Sequence, residues 1–438
     1  MNLSVTTDKP LNGSITLPGD KSLSHRAALF ASLAEGKSII QRFLVSGVTE
    51  AMLRSLRALG IEWTLVGETL TVKGNGLKGF TAPESPLDCG NSATTIRMLA
   101  GALAAAGTPC TLDGSEGLRR RPMDRIIEPL SRMNVPATAT GRCAPVRMAA
   151  RDAYVKLAAL NYNLPVASAQ IKSCLILAAL DANGTSVLRE PGPSRDHTER
   201  MLSAMGANVT TEDPYTVRIE PLSSPLRPLN ITLPGDISSA AFMLVAAATV
   251  PGSEITVSDV GINPTRTGII DVLSEMGAEV TVSGIRYACG EKIGDITLKA
   301  APLKAINVSG DTVVRMIDEF PAFAIAAACA EGTTVVREAE ELRHKESDRI
   351  SVLCRELQKL GVGVEEFQDG FAIRGGTIKG GTCEANGDHR LAMSLTIAGL
   401  QSPSPVVVQN AEILKESFPE FATNLIVLGA DILSRESI

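Results

Sequence analysis

Basic side chains, hydroxyls and amides recur at one kind of position in this sequence, the start of an alanine-rich apolar run. Lys21–Ser22–Leu23–Ser24–His25–Arg26 places an ammonium, two hydroxyls and a guanidinium within one and a half turns of such a start. The N–H groups and partial positive charge of a helix N-terminus would add to them, and the combination suits a phosphate. Lys21 would serve as a mobile point charge and Arg26 as a two-pronged donor. Asn91–Ser92–Ala93–Thr94–Thr95–Ile96–Arg97, Ser168–Ala169–Gln170–Ile171–Lys172 and Asp388–His389–Arg390 repeat the theme. Cations at helix N-termini oppose the helix dipole. Their repetition is better explained by an anionic ligand than by packing.

Two loops and one acidic start extend the set. Arg119–Arg120–Arg121–Pro122 crowds three like charges, although a solvated basic turn is a fair reading of Arg119 and Arg120. Lys345–Glu346–Ser347–Asp348–Arg349 opens an amphipathic helix through Ile350, Leu353 and Leu357, with Lys345 and Arg349 on one face. Alone, that pattern is a surface salt-bridge ladder. Asp318–Glu319 precedes the buried run Phe320–Pro321–Ala322–Phe323. A carboxylate there is a helix cap, or, partly desolvated among phosphates, a base with a raised pKa. Two nucleotide patterns fail. Gly74–Asn75–Gly76–Leu77–Lys78–Gly79 is followed by Pro83 and Pro86 rather than a helix. In Gly19–Asp20–Lys21–Ser22 an aspartate separates glycine from lysine, unlike a P-loop.

The elements that must position these groups repeat. Six polar starts, at Gly19, Cys89, Ala167, Gly235, Ile317 and Gly387, recur at intervals of roughly 65–90 residues. Each leads into a run such as Ala240–Ala248, apolar all round and so buried on every side. A glycine turn and a β-branched strand follow, as in Gly332–Thr333–Thr334–Val335–Val336. In several units a second, amphipathic helix ends at glycine, as at Gly60 and Gly277. The unit is about βαβαββ, and six units suggest two α/β domains of three. Leu17–Pro18–Gly19–Asp20 recurs as Leu233–Pro234–Gly235–Asp236, marking either crossovers between domains or strand-to-helix turns.

Composition bounds the rest. The 438 residues exceed one ordinary core, and 44% hydrophobic with 21% charged is globular. Aromatics at 3% leave an aliphatic, alanine-rich interior. A net charge of −6 argues against a nucleic-acid binder, though not against a local cationic site. Eight cysteines without a Cys-x-x-Cys motif, and four histidines not set at ligand spacing from a cysteine, suggest free thiols in a reducing compartment and no zinc site. The first residues show no signal peptide, and the longest apolar stretch, 240–250, is too short to span a bilayer. A soluble protein is expected.

Taken in order along the chain, these motifs resemble 5-enolpyruvylshikimate-3-phosphate synthase. The resemblance rests on Leu17–Ser22, Gly90–Thr94, Arg121–Pro122, Ala167–Gln170, Asp318–Glu319, Lys345–Arg349, Gly387–Arg390 and Ser417–Phe418–Pro419. It implies a two-domain inverted α/β barrel, each domain three βαβαββ repeats with buried parallel helices. The domains would be 20–233 and 1–19 plus 234–438, with helix N-termini facing one cleft that closes on substrate. It implies transfer of the enolpyruvyl group of phosphoenolpyruvate to the 5-hydroxyl of shikimate 3-phosphate in chorismate biosynthesis, by a cytoplasmic monomer without metal or organic cofactor. Shikimate 3-phosphate would be held by Lys21, Ser22, Arg26, Ser168, Ala169, Gln170, Ser194, Asp318 and Lys345. Phosphoenolpyruvate would be held by Lys21, Ala93, Arg121, Gln170, Arg349 and Arg390. Asp318 is the implied base, Glu346 the implied proton donor, and Lys21 completes the catalytic set.

Three positions depart from the family pattern. Ala93 stands where glyphosate-sensitive members have glycine, which suggests tolerance through a crowding methyl group. His197 stands where some members have tyrosine. Glu416, next to Lys415, aligns with a phosphate-binding lysine of some members. The related UDP-N-acetylglucosamine enolpyruvyl transferases would carry Lys-Asn where this chain has Lys21–Ser22. They would also carry a cysteine near Glu116, and no cysteine lies between Cys110 and Cys143. A nucleic-acid-binding ring of repeats would have no use for Asp318 and Glu346 beside the cations.

Overall fold

The computed structural model describes residues 1–152 and 154–435. Among them the six apolar runs form helices: Lys21–Leu33, Ala93–Ala106, Ala169–Ala179, Ile237–Thr249, Phe320–Cys329 and His389–Ala398. All are almost wholly buried, the consequence of apolar side chains on every face. The polar residues before them act as caps. Asp20 accepts from the Leu23 N–H at 2.8 Å, Ser92 from Thr95 at 3.1 Å, and Asp388 from Arg390 at 2.9 Å. Small side chains let buried helices approach closely. A Cβ at Gly101 would lie 2.2 Å from the Cys174 carbonyl oxygen, so the Ala93–Ala106 and Ala169–Ala179 helices meet backbone to backbone there.

Each buried helix belongs to a repeat with a four-stranded sheet, six among the described residues. Every sheet has a parallel pair at one edge joined to antiparallel neighbours, as the order βαβαββ demands. Amphipathic helices such as Gly47–Ala58, His197–Ala204 and Arg349–Lys359 bury one face only.

The chain divides into two compact units. One comprises Met1–Pro18, Pro234–Arg286 and Lys292–Ile438; the other, Gly19–Leu233 with Tyr287–Glu291. The fold is thus the two-domain α/β arrangement of repeats that the sequence suggests. Its boundaries differ from the expected ones at two places. Gly19 goes with the second unit, where a Cβ on it would collide with the Arg42 carbonyl oxygen. Tyr287–Glu291 also joins that unit, through a contact of Glu291 with His197. The repeats close circularly. Asn12–Thr16 pairs in parallel with Glu254–Ser258 in the first unit. The corresponding edge in the second is filled by Asn230–Thr232 against Ile39–Gln41.

The eight cysteines are free, and burial pushes thiols such as Cys174 up to about 12. Among the described residues no helix is long and apolar enough to cross a membrane.

Candidate active site

The sequence-derived candidates fall into two groups, one in each unit. In the Gly19–Leu233 unit they lie at three buried-helix starts and two loops. Lys21 and Ser22 open the first helix, both partly exposed. Ser24, the second hydroxyl of that run, is turned inward and accepts from the Leu44 N–H at 3.1 Å. It is removed from the ligand set. His25 is also internal, its Nδ1 2.8 Å from the Lys21 carbonyl oxygen, and burial lowers its pKa to about 4. Arg26 is 2% exposed and remains cationic, although burial pulls its pKa down to about 10. Its Nε donates to Thr198 Oγ1 at 2.8 Å, one terminal nitrogen to Ser173 Oγ at 2.8 Å, the other to the Ser22 carbonyl at 3.1 Å.

The next two helix starts are tied together. Arg97 donates to Gln170 Oε1 at 2.6 Å and to the Pro122 carbonyl at 2.9 Å, while Gln170 Nε2 donates to Thr94 Oγ1 at 3.0 Å. Arg97, expected to meet an anion, instead orients Gln170 and anchors the turn that carries Arg121. Ala93 is buried at the first position of its helix. The Arg119–Arg121 cluster resolves by pairing. Arg119 binds Asp113 at 2.5 Å and Arg120 binds Glu116, both exposed, whereas Arg121 is 8% exposed.

Ser168 and Ala169 are half-buried beside Gln170. Ser194 is buried and donates to Glu190 at 2.5 Å. Lys172 is not the anion-binding cation its helix start suggests. It is nearly fully buried, 2.7 Å from Glu190 and 2.8 Å from Glu199. Burial alone would lower its pKa, but the two carboxylates hold it above its ordinary value. Its charge is spent fixing the Glu190–Ser194 loop on the helix that carries Gln170.

In the other unit the remaining candidates converge. Asp318 lies 3.4 Å from Lys345 Nζ, 3.3 Å from Arg349 and 3.8 Å from Arg390. Arg349, 1% exposed, also binds Glu346 at 2.7 Å and Asp388 at 2.8 Å. Although burial opposes its charge, these carboxylates push its pKa further above the usual guanidinium range, and Arg349 in return holds the buried Asp388 low. Ser347 adds a hydroxyl to Asp388 at 3.1 Å.

One correction concerns the local fold. The amphipathic helix starts at Arg349, capped by Asp348, and Lys345–Ser347 precede it. Lys345 and Arg349 meet through Asp318 rather than along a helical face. Beside them Glu319, 1% exposed, accepts from Ser238, which also accepts from Arg266 at 2.8 Å. This ties the starts of the Ile237–Thr249 and Phe320–Cys329 helices together. Lys415 is exposed in a separate turn.

Each group offers what an anionic ligand requires, helix N–H groups beside buried cations, and the second adds three carboxylates within reach of the same guanidinium. Comparison with known proteins gives that chemistry a family. The EPSP synthase (3-phosphoshikimate 1-carboxyvinyltransferase) profile matches residues 5–425. The chain belongs to the EPSP synthase family. A 3-phosphoshikimate 1-carboxyvinyltransferase of Syntrophomonas wolfei is 45% identical over 417 residues, covering 94% of this chain and 96% of that one. One of Geobacter metallireducens is 46% identical over 416 residues, 94% and 96% of the two chains. An EPSP synthase structure from Acinetobacter baumannii aligns over 99% of this chain and 100% of its own, with a TM-score of 0.86 and 41% identity.

The residues that reasoning from sequence missed are those that hold the family's charged groups. Ser173, Thr198 and Glu190 carry no motif. The signal present was the polar run Arg195–Asp196–His197–Thr198–Glu199, of which the last three are buried. His197 itself is turned to Glu291, with Nδ1 2.7 Å from Oε1.

Proposed function

We propose that this EPSP synthase family member transfers the enolpyruvyl group of phosphoenolpyruvate to the 5-hydroxyl of shikimate 3-phosphate, releasing phosphate. The observation that carries the residue assignments is the convergence of Lys345, Arg349 and Arg390 on Asp318, with Glu346 on the same Arg349. In this reading Lys21, Ser22, Arg26, Ser168, Ala169, Gln170, Ser194, Asp318 and Lys345 bind shikimate 3-phosphate. Lys21, Ala93, Arg121, Gln170, Arg349 and Arg390 bind phosphoenolpyruvate. The protein acts as a cytoplasmic monomer and uses neither nucleic acid nor membrane as a partner.

The chemistry follows from the charges. Before substrate binds, the cations stabilise Asp318 and Glu346 as carboxylates, because nearby opposite charge favours the ionised form. A phosphate or carboxylate of the substrate competes for Lys345, Arg349 and Arg390. The two acids then lose cationic partners and become more basic. Asp318 accepts the proton of the attacking 5-hydroxyl, and Glu346, once protonated, delivers a proton to the methylene carbon of phosphoenolpyruvate. The adjacent carbon gains cationic character and the hydroxyl oxygen bonds to it; in the elimination the Glu346 carboxylate takes a proton back from the new methyl group as phosphate leaves, restoring the carbon–carbon double bond. Fixed cations stabilise the charge that collects on phosphate.

Phosphate release from phosphoenolpyruvate should require shikimate 3-phosphate. Asp318→Ala should lower kcat by roughly a factor of a hundred or more while leaving substrate affinity much less changed. Unimpaired single-turnover chemistry in that variant would refute the role of Asp318.

A further inference from the structure

The seat of Arg26 differs in kind from those of three other buried cations, Lys172, Arg266 and Arg349. Lys172 faces Glu190 and Glu199, Arg266 faces Asp236, and Arg349 faces three carboxylates. Among the described residues Arg26 hydrogen-bonds only to neutral oxygens: Thr198 Oγ1, Ser173 Oγ and the Ser22 carbonyl. Glu199, Asp20 and Glu291 act on it through space but accept no hydrogen bond from it.

Counting protons fixes the direction of each bond. Ser173 Oγ lies 2.6 Å from the Ala169 carbonyl, which can only accept, so the single hydroxyl proton of Ser173 goes there. Thr198 Oγ1 lies 2.6 Å from Ser173 Oγ. With the Ser173 proton committed, Thr198 must be the donor in that contact. Both hydroxyl oxygens therefore present lone pairs to the guanidinium. They stand side by side, one on Nε and one on a terminal nitrogen, in the fork geometry a carboxylate would use.

We propose that Ser173 and Thr198 are positioning residues that form a neutral surrogate for a carboxylate, fixing the orientation of Arg26 while leaving its positive charge for the substrate. The inference rests on the reading of Arg26 as a ligand of shikimate 3-phosphate. Three of the five guanidinium N–H groups are engaged in the seat, leaving one on each terminal nitrogen to meet an anion. A carboxylate in the same place would orient the group equally well but would neutralise it in a buried setting, where charges interact most strongly. Ser173 is on the helix that begins Ala169–Gln170, and Thr198 is on the His197–Ala204 helix just beyond Ser194. The seat thus registers Arg26 against three further members of the proposed substrate set, Ala169, Gln170 and Ser194.

The test is steady-state kinetics of the full chain, varying shikimate 3-phosphate and phosphoenolpyruvate separately. Ser173→Ala and Thr198→Val should each raise KM for shikimate 3-phosphate about five- to twentyfold, the scale of one lost hydrogen bond to a charged group. KM for phosphoenolpyruvate should stay within about twofold by the same reasoning, since no contact to that substrate's proposed ligands is removed. Thr198→Ser, which keeps the hydroxyl, should restore wild-type behaviour. Ser173→Asp should weaken shikimate 3-phosphate more than Ser173→Ala, because it keeps an acceptor but cancels the charge. If Ser173→Asp equals or surpasses Ser173→Ala, the neutral-surrogate idea is overturned. Arg26→Lys separates this idea from the reading beneath it. If Arg26→Lys weakens shikimate 3-phosphate while Ser173→Ala and Thr198→Val do not, only the seat is refuted. If Arg26→Lys has no effect, the assignment of Arg26 falls and the seat with it. Should Ser173→Ala lower the melting temperature severely, the pair Thr198→Val and Thr198→Ser decides alone.

Discussion

Arg26 and Arg349 are both almost wholly buried guanidinium groups near helix starts, yet they are held by opposite means. Arg26 has hydroxyls and a carbonyl; Arg349 has Asp318, Glu346 and Asp388. A neutral seat keeps the cation's field available, at the cost of burying a charge without a direct counterion. A carboxylate seat stabilises the cation but leaves little net charge for a ligand. It also holds Asp318 and Glu346, the two acids of the proposed proton transfers, on one guanidinium. In the proposed reading, the Arg26 seat serves to bind an anion and the Arg349 seat to couple anion binding to proton transfer.

The largest expected effect comes from removing the counterion of the compensated seat. Asp388 is fully buried and is the closest carboxylate to Arg349 Nε. Asp388→Ala should destabilise the protein by about 3–5 kcal/mol, the range for stripping one partner from a buried ion pair. Thr198→Val, in the neutral seat, should cost about 1.5–3 kcal/mol, the value of one hydrogen bond to a charged group. Urea unfolding of the two variants decides the matter. Equal losses would mean that the two seats do not differ in the way their partners suggest.

A second contrast lies within the Arg26 unit and is set by pH. Burial holds His25 neutral, with its pKa lowered to about 4 from the ordinary histidine value of 6.5. Between those values the unfolded chain binds a proton that the folded chain refuses, so stability falls as pH drops from about 6.5 towards 4. The full loss attached to this one group is on the order of 3 kcal/mol. His25→Gln should flatten this part of the pH–stability curve. If denaturant midpoints at pH 7 and pH 4.5 shift equally in wild type and variant, His25 is not the group responsible.

The six buried helices could be read from sequence because an apolar run with no polar face has only one stable environment. The same reasoning picked out Lys21, Arg26 and Arg390, since a cation at a helix start runs against the dipole, whereas Arg349 taken alone read as part of a surface salt-bridge ladder. It misread Lys172, which obeys the same pattern but is neutralised by Glu190 and Glu199, residues 18 and 27 positions later in the chain. It also misplaced the start of the Arg349 helix by four residues, because Lys345–Ser347 share its polar pattern but lie in the turn before it. Partners that come from another repeat leave no periodicity at the residue they serve. Ser173 and Thr198 were invisible for that reason, and so was the pairing of His197 with Glu291, 94 residues away.

Arg97 offers a finer test, because it serves neighbours instead of a ligand. Its two acceptors, Gln170 Oε1 and the Pro122 carbonyl, lie on different segments. The compact ammonium of lysine lacks the fork that reaches both. Arg97→Lys should raise KM for phosphoenolpyruvate about tenfold, the scale of one charged hydrogen bond, and affect shikimate 3-phosphate less. An equal rise for both substrates would place Arg97 in general stability rather than in the Gln170–Arg121 arrangement.

The smallest change is a single methyl. Ala93 is 3% exposed at the first position of its helix, next to the Thr94 that bonds Gln170. At a helix start, alanine to glycine costs less than the roughly 1 kcal/mol lost in a helix interior. Folding and KM for phosphoenolpyruvate should therefore change little. Glyphosate, longer than phosphoenolpyruvate, would gain the vacated space, and its inhibition constant should fall by about tenfold, the value of a relieved contact of 1–2 kcal/mol. An unchanged inhibition constant in Ala93→Gly would mean that the methyl group does not face the inhibitor. Under the proposed function, any discrimination against the inhibitor would then have to lie in Arg121 and Gln170.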